Sequence, residues 1–522
     1  MKKLISALFS RRALRAYAWI FVSMLTMLLL LRQYVGWSGT KRWLAVQAEL
    51  VKEGESIDFR KVSPEPVPDD QNFCAIPLLK DLAATPDSKD DKSAAGLNRQ
   101  RIVAVALPKN DKAGQRPGFG QSAALGSRMD VQAWAEWLRK EGSLPLPPDS
   151  GDPAKDILTA LGKHDALINE LAAGLNRPEA QWTPPWKTRT LPGNLFEVPL
   201  PHYSVIRELT QMLSFRSIVA TRAGDATKAH EALLIAIRLQ QATMQEPFLI
   251  GLLVAASNSL AINLAVWEIC DAQLGTVEDF RRLQDALAKM DYRKSALLAW
   301  RSELAGSSSA LTYLKQSRDT KMLAMVNEGG SSAGGVAGAL FTHLLPDGWF
   351  DANAATVVKW NLDFSIKPLR DAGFKEMMLK QNELTNIALK QCTGLTSRFA
   401  NTVALMIVPA TTSVSRNVVY AQALASQAVT ACALERYRIE HGRYPVTLAE
   451  AMGGEKAMPQ DVLSGAPMGY RKKNEGRYAL WSVGFDGKDD GGKRVLDEKK
   501  PENTKFRDVK YAGDWVWDYP AK

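Results

Sequence analysis

The chain has 522 residues, of which 46% are hydrophobic and 23% charged, and its formal net charge is +10. This length and apolar content suffice for about two to four domains with packed cores, which excludes a wholly disordered chain. The lysines and arginines are scattered among almost as many acidic residues and form no basic stripe interleaved with aromatic residues. We therefore expect no nucleic-acid partner.

A basic N-terminus precedes an apolar run, AYAWIFVSMLTMLLLL, that extends from Ala16 to Leu31. If Arg32 snorkels toward the headgroups, the span continues to Trp37 and reaches the roughly 20 residues that a membrane-crossing helix needs. Aromatic residues at both ends match the aromatic belts of membrane interfaces. The sequence predicts a basic cytoplasmic segment over 1–15 and a transmembrane anchor over 16–37.

A cleaved signal peptide is the alternative interpretation of this N-terminus, because it shares the basic start and the apolar middle. No small-residue cleavage site follows the run, and the run is long for a signal peptide, so we expect an uncleaved anchor. More basic residues precede the span than follow it, and this bias places the N-terminus in the cytoplasm. The rest of the chain is then expected on the extracytoplasmic side.

Residues 38–128 show little periodic apolar patterning beyond a short helix, TKRWLAVQAELVKEG, that leads out of the membrane. Prolines interrupt the following stretch, PEPVPDDQNFCAIPLL, and charged residues and glycines dominate 83–128. We expect this region to be an extended, partly disordered linker.

An α-helical domain is predicted over 129–411, and within it the pattern from Tyr203 to about Leu304 is almost wholly helical. In DATKAHEALLIAIRLQQATM the apolar residues fall on two faces of one helix, which indicates a helix sandwiched between others. The preceding turn joins it to another helix, with Asp225 as the N-cap. Because no unit recurs at a fixed period, the sequence predicts an irregular α-helical bundle or a short solenoid.

A second apolar run, from Phe248 to Trp267, also passes the length test for a membrane helix. Polar residues cluster in its middle, where unsatisfied groups are costly in lipid: Ser257, Asn258, Ser259 and Asn263. We therefore predict a helix buried in the bundle. If the run crossed the membrane instead, everything after it would return to the cytoplasm.

The C-terminal residues 412–522 predict a small α+β domain, so the fold class is mainly α with one small antiparallel sheet. A long helix ends at Gly442, and Pro445 blocks its continuation. The stretch MGYRKKNEGRYALWSVG alternates as two strands around Asn474–Gly476. A helix packed on a hairpin follows, because each element has one apolar face to cover.

This segment, about residues 412–492, resembles the globular domain of the major pseudopilins of type II secretion systems. The residues that carry the resemblance are Leu434, Tyr437, Gly442, Tyr444 and Pro445 at the helix end, and Tyr478, Leu480, Ser482, Gly484, Asp486 and Gly487 in the last strand and loop. The resemblance implies the fold, a bacterial envelope and a place in a type II secretion or pilus-like system. The family's polymerising helix does not directly precede this segment, which indicates an appended domain.

The resemblance also implies a calcium site, since family members often bind calcium in the loop after this strand. The loop DGKDDGG offers Asp486, Asp489 and Asp490, and an EF-hand-like spacing adds Asp497 at the twelfth position. Lys488 occupies the third position, where a ligand belongs. The alternative is a solvated acidic-glycine turn neutralised by its own lysines. Calcium is the one cofactor that the sequence suggests.

Catalytic motifs are sparse. The chain has five histidines and four cysteines, none of them at metal-ligand spacing, and no nucleophile motif is present. We expect a single-pass, membrane-anchored protein of the bacterial inner membrane, with a periplasmic bulk that acts as an interaction or scaffold module for a protein partner. A hydrolase whose carboxylates converge only after folding is one alternative, and a component of a type II secretion or pilus-like system is another.

Overall fold

The structure is a computed structural model of the chain and describes residues 11–85, 91–109, 114–119, 125–318, 343–393, 401–454, 458–473, 476–495 and 506–519. Helices account for 65% of the residues and strands for 4%. The mainly helical class is confirmed, as are the N-terminal apolar helix and the small C-terminal antiparallel sheet. Most of the basic segment 1–15 lies outside the described residues.

The secondary-structure elements are numbered in chain order. The α-helices are α1 (Arg11–Glu53), α2 (Phe59–Val62), α3 (Ala94–Val103), α4 (Val131–Glu141), α5 (Pro153–Leu161), α6 (Asp165–Ala172), α7 (His202–Arg222), α8 (Ala226–Met244), α9 (Leu249–Ala272), α10 (Val277–Ala288), α11 (Tyr292–Ser317), α12 (Asp347–Asn361), α13 (Lys367–Ala372), α14 (Phe374–Cys392), α15 (Thr402–His441), α16 (Leu448–Met452) and α17 (Phe506–Tyr511). The remaining elements are 3₁₀ turns at Phe73–Ala75, Gly162–His164 and Leu195–Glu197, a π-helical stretch at Leu362–Ile366, and strands β1 (Gly469–Lys473), β2 (Arg477–Ser482) and β3 (Trp515–Trp517).

Helix α1 runs without interruption for 43 residues, through the predicted anchor and on to Glu53. It is long and apolar enough to span a membrane, and its apolar window is 0% buried within the protein. Beyond the apolar run, Val46 and Leu50 enter the main hydrophobic core. The predicted boundary at residue 38 therefore falls inside a helix, because the side chains after it pack against the bundle.

The backbones of α1 and α12 touch where glycines face each other. A Cβ built on Gly39 would lie 1.7 Å from the carbonyl oxygen of Gly348, and one built on Gly348 would lie 2.0 Å from that of Gly36. Small residues let two helices approach this closely. Nearby, Thr40 donates a hydrogen bond of 2.7 Å to Asp351 of α12. Helix α1 is thereby fixed to the bundle.

Ion pairs extend this attachment to the end of α1. They join Glu49 to Lys359 and Lys367, Glu53 to Lys367 and Arg370, and Glu55 to Arg301 and Arg370. Hydrogen bonds from these cations lower the pKa of both Glu49 and Glu53. A row of charges on one helix thus faces a complementary row on the bundle.

The region predicted as an extended linker, 38–128, is packed over much of its described length. Phe73, Leu78 and Leu79 are fully buried in the main core. The side chain of Asn72 accepts a hydrogen bond of 2.8 Å from the backbone N–H of Gln181 and donates one of 2.8 Å to its carbonyl oxygen. This irregular segment is ordered because its backbone groups pair with a second irregular segment rather than with a helix or a sheet.

The second apolar run forms α9 and lies inside the bundle, with 67% of its apolar window buried. Two of its four central polar residues, Ser259 and Asn263, find partners on neighbouring helices. Asn263 donates to the carbonyl oxygen of Leu424 at 3.1 Å, and Ser259 shares a hydrogen bond with the Tyr292 hydroxyl. Helix α9 is therefore apolar on all sides because helices surround it.

Helix α15 crosses the predicted domain boundary at 411/412. It begins at Thr402 and continues through Pro409 to His441. Proline removes one helical hydrogen bond, whereas most of the helix is held by burial against α9, α10 and α14. The C-terminal module has no core of its own, because Cys432 and Tyr478 belong to the same hydrophobic cluster as Trp267.

The predicted hairpin is present, with Lys473 opposite Arg477 and Tyr470 opposite Leu480. Strand β3, which the sequence did not predict, pairs with the other edge of β2 and gives the order β1-β2-β3. All six residues of β2 are buried. The expected alternation of buried and exposed residues is lost because β2 is the central strand and is covered on both faces.

Candidate binding cleft

A half-open cleft of about 870 Å³ lies between α14 and the loop that follows β2. Its lining comes from α14, α15, the loop and the end of α17: Lys375, Met378, Leu379, Asn382, Arg416, Leu463, Gly484, Phe485, Asp486, Gly487, Tyr511 and Ala512. The loop is the one in which the calcium site was predicted. The cleft and the predicted site therefore share Asp486.

Aromatic and aliphatic side chains form an apolar wall of the cleft. Phe485 stacks on Tyr511 with ring centres 5.7 Å apart and meets Trp515 edge-on at 4.8 Å. Tyr511 in this wall is 40% exposed. Leu379, which lines the cleft from α14, is 55% exposed. Exposed apolar side chains beside a cavity are typical of a protein-binding surface.

The cleft carries more positive than negative charge. Lys375 and Arg416 contribute two cations, whereas Asp486 is the one carboxylate among the described lining residues. The guanidinium of Arg416 lies 5.9 Å from the ring centre of Tyr511, so it faces the apolar wall. Asp486 accepts a hydrogen bond from the backbone N–H of Lys488 at 3.1 Å. A ligand with acidic groups fits this balance of charge.

Two of the three described carboxylates of the predicted calcium site accept hydrogen bonds from their own segment of the chain. Asp489 accepts hydrogen bonds of 2.8 Å from the indole N–H of Trp481 and from the backbone N–H of Gly491. Asp486 holds its own turn, and Asp497 lies outside the described residues. Within the described parts of the chain, no group of three or more histidine, cysteine or acidic side chains is placed to hold a metal. These residues do not form a ligand set, and calcium binding stays a prediction.

Asp514, which the sequence did not single out, organises the loop. Its carboxylate accepts hydrogen bonds from the backbone N–H groups of Asp490, at 3.1 Å, and Gly492, at 2.7 Å. The side chain is fully buried, and burial raises its pKa, with Asp489 and Asp490 adding to the increase. The available signal was slight: a lone acid directly before the short aromatic strand WVW.

We expect the Asp514→Ala variant to release the loop. Hydrogen bonds to a charged acceptor contribute about 1.5–3 kcal/mol, so amide hydrogen exchange at Asp490 and Gly492 should accelerate at least about tenfold. The matched control is Asp486→Ala, which removes an exposed carboxylate from the same loop and should leave those two amides unchanged. Equal exchange in the two variants would show that Asp514 does not hold the loop.

The carboxylates whose pKa is raised by burial lie away from the cleft. They are Glu268, Glu303, Glu435 and Asp514, and none of them belongs to the described lining. A carboxylate hydrolase needs two acids facing one substrate across about 5–10 Å. The described lining of the cleft offers Asp486 as its one carboxylate.

No family model, curated protein or solved structure matches this chain. The pseudopilin resemblance accordingly stays a prediction. Function is inferred below from the anchor, the bundle and the cleft.

Two buried carboxylates lie near the C-terminal end of α9, and one of them, Asp271, joins the sheet to the bundle. Asp271 pairs with Arg128 at 2.6 Å and with Arg477 of β2 at 3.2 Å, and Arg477 also donates to the backbone carbonyl oxygen of Asp271 at 3.0 Å. Glu268 pairs with Arg222 and accepts from the backbone N–H of Met129. Both acids are paired with arginines, and we therefore assign them a role in stabilising the fold.

Glu303 of α11 makes stability depend on pH. Burial raises its pKa from 4.5 to about 7, against a smaller opposing effect of the Ser307 hydroxyl. The folded state therefore binds a proton that the unfolded state releases. The contribution of Glu303 to the free energy of unfolding is therefore greatest below about pH 4.5 and falls by about 3 kcal/mol as the pH rises to about 7.

We expect Glu303→Gln to remove this loss, since glutamine stays neutral at every pH. Urea titrations at pH 5 and pH 8 give the free energy of unfolding of both proteins. The value for the variant, relative to that of the wild type, should increase by about 3 kcal/mol from pH 5 to pH 8. A Glu440→Gln variant, altered at an exposed carboxylate, controls for the loss of one charge. A gain of the same size in both variants would contradict the assignment.

Proposed function

We propose that the protein is a single-pass scaffold of the bacterial inner membrane. Its bulk lies on the periplasmic side and holds an acidic segment of a partner protein in the cleft between α14 and the β2 loop. The observation that carries this proposal is the continuity of α1, which enters the bundle core without a break after its apolar run. A bundle attached in this way keeps a fixed position relative to the bilayer.

Three features support an uncleaved anchor. The helix is continuous across the junction, the glycines at 36 and 39 lie against Gly348, and Thr40 donates to Asp351. Loss of the segment before Trp37 would remove Gly36 and expose part of α12. The anchor is thus integrated into the fold, whereas a signal peptide is dispensable to the mature protein.

The cleft supports a protein ligand. Its volume of about 870 Å³ is sufficient for a few side chains of an extended segment. The wall formed by Phe485 and Tyr511 suits an aromatic or aliphatic anchor residue, and Lys375 and Arg416 suit neighbouring acidic groups. Such surfaces gain specificity from charge and affinity from the buried apolar anchor.

Site-specific photo-crosslinking in intact membranes tests the cleft. We expect a crosslinker at Leu379 to capture a defined protein, and the double variant Lys375→Glu/Arg416→Glu to reduce that product at least about tenfold through charge repulsion. A crosslinker at Val446, which is also exposed but lies outside the cleft, is the matched control. Identical products at both positions, or none at Leu379, would contradict the proposal.

Reporter fusions test the topology. An enzyme that is active only outside the cytoplasm, fused after residue 522, should be active, and the same enzyme fused directly before residue 1 should be inactive. Activity in the cytoplasm at the C-terminus would overturn the periplasmic assignment.

A filament subunit of a type II secretion or pilus-like system is favoured less. The order of a long helix followed by an antiparallel hairpin agrees with it. However, Val414, Val418 and Ala421 of α15 are buried in the bundle. A helix enclosed by its own chain has no free face for a filament core, which supports a resident scaffold.

A further inference from the structure

Two of the four cysteines lie side by side in the shared core. Cys270 belongs to α9 and Cys432 to α15, and both side chains are fully buried in the main hydrophobic cluster. Burial raises the pKa of the Cys270 thiol, and a hydrogen bond and charge repulsion from the Cys432 thiol raise it further. A hydrogen bond acts over a few ångströms, so the two sulfur atoms are neighbours across the interface between the helices.

Hydrogen bonds on either side of this pair fix how α9 and α15 lie against each other. Before it, Asn263 donates to the carbonyl oxygen of Leu424 at 3.1 Å. After it, the hydroxyl of Tyr444 accepts from Gln273 at 3.2 Å and donates to Glu435 at 2.6 Å. The order of these contacts along the chain shows that α9 and α15 run in the same direction.

This register brings Cys270 opposite Cys432. Cys270 follows Asn263 by seven residues, which is almost two full helical turns, and it therefore shares the face of α9 that contacts α15. Cys432 follows Leu424 by eight residues, also about two turns further along α15. The two thiols meet because of the register of the whole helix pair.

The face of α15 that carries Cys432 is made of small residues. Ala421, Ala425 and Ala428 lie at the helical spacing that places them on this face, and all three are buried. Helix axes approach more closely where the side chains between them are small. A disulfide needs Cα atoms about 4.4–6.8 Å apart, and small residues around the pair allow such an approach.

We propose that Cys270 and Cys432 form an intramolecular disulfide that covalently joins α9 to α15. The structure carries both as thiols. The inference rests on the proposed extracytoplasmic position of the bundle, because disulfides form and persist in that oxidising compartment. The bond closes a loop of about 160 residues, and closing a long loop stabilises the fold by restricting the unfolded chain.

The remaining cysteines have no such neighbour among the described residues. Burial raises the pKa of Cys74, and the nearby groups that modify it are Glu246 and Arg238 rather than another thiol. Cys392 is exposed at the C-terminal end of α14. A metal would need further ligands, and the described parts of the chain place no third histidine, cysteine or acidic side chain with the pair. The pair therefore suits a disulfide rather than a metal site.

The bond forms before the two helices close over the thiols. The two thiols together give up two protons and two electrons, which convert a disulfide of an envelope thiol oxidase into a dithiol, and the two sulfur atoms join. The exchange requires a thiolate and access to the oxidase. Since burial raises the pKa of Cys270 and excludes other proteins, the exchange takes place on the partly folded chain. The completed bond is then shielded from reductants.

Differential alkylation of the full chain tests the disulfide. Cells are quenched with acid, and their membranes are dissolved in denaturant with N-ethylmaleimide and without reductant. Alkylation of Cys270 and Cys432 should be at least about tenfold lower than that of Cys74 and Cys392, and a proteolytic digest should contain the two peptides linked through Cys270 and Cys432. Complete alkylation of all four cysteines would overturn the proposal, as would a linkage that involves Cys74 or Cys392.

Single-cysteine variants check the pairing. Cys432→Ser should make Cys270 accessible to alkylation in denaturant and should remove the faster-moving band that a closed loop gives on a non-reducing gel. Cys74→Ser alters a buried cysteine outside the pair and is the matched control, which should retain that band. A band that persists in Cys432→Ser would contradict the assignment. The linked peptide of the wild-type chain decides the question even if a substitution impairs folding.

The C-terminal reporter fusion, measured in parallel, separates this inference from the proposed topology. Free thiols in a chain whose reporter is active outside the cytoplasm would overturn the disulfide and leave the scaffold proposal standing. A reporter that places the C-terminus in the cytoplasm would overturn the anchoring, and with it the oxidising environment on which the disulfide depends.

Discussion

The Gly39→Ala variant is expected to melt about 4–12 °C below the wild-type protein. A methyl group on Gly39 lies 1.7 Å from the carbonyl oxygen of Gly348, which belongs to a backbone that has no flexible end to move aside. The two helices must therefore separate, and overpacking of this kind costs about 2–3 kcal/mol. Each kcal/mol lowers the melting temperature by about 2–4 °C in a domain of moderate size.

Gly36→Ala is the matched control for this prediction. It lies one turn earlier on α1, and its own added Cβ meets nothing closer than the Pro346 Cβ at 3.9 Å. Because alanine favours helix over glycine by about 1 kcal/mol, this variant should be as stable as the wild type or slightly more so. Melting curves of the full chain in detergent distinguish the two. If both variants lost the same melting temperature, the need for glycine at these positions would come from helix flexibility and not from close contact with α12.

The Asp271→Ala variant is expected to lose about 3–5 kcal/mol of unfolding free energy. The carboxylate sits between Arg128 and Arg477, and its removal leaves the Arg477 guanidinium, 8% exposed, without its acidic partner. A buried charge that loses its partner retains its desolvation cost and loses the compensating attraction. Since Arg477 lies in β2, the sheet should detach from α9 before the bundle unfolds.

Two comparisons make this prediction specific. Asp285→Ala removes an acid that pairs with Arg281 on the surface of α10, and it should cost less than about 0.5 kcal/mol. The double variant Asp271→Ala/Arg477→Met should recover part of the loss, because the unpaired charge is gone. Urea titrations followed by tryptophan fluorescence supply the values. If Asp271→Ala and Asp285→Ala behaved alike, the buried cluster would not join the sheet to the bundle.

The two sites have one physical role in common. The glycine contact at Gly39 fixes the anchor to the bundle, and the Asp271 cluster fixes the bundle to the sheet that borders the cleft. With both contacts in place, α1 and the residues beside the cleft belong to one connected core. This arrangement suits the proposed scaffold, in which a partner bound in the cleft would be held at a set distance from α1.

The amino-acid sequence by itself determined those features that depend on neighbouring residues. The apolar run of α1, the capped start of α8 at Asp225 and the hairpin of β1 and β2 each have a local pattern of hydrophobicity or turn residues. The burial of α9 was predicted correctly because its polar cluster is incompatible with lipid. Each of these patterns lies within about 20 residues of chain. For that reason the corresponding elements could be predicted from the sequence.

The tertiary structure alone decided how those elements are joined. Gly39 meets Gly348, Asp271 meets Arg477, and Asp514 holds the loop at Asp490 through contacts between distant parts of the chain. No local period marks such partners, because the sequence between them is unrelated to the contact. For the same reason a separate linker and a separate C-terminal domain were predicted where the structure has one shared core: burial is a property of the surroundings, and only the fold supplies them.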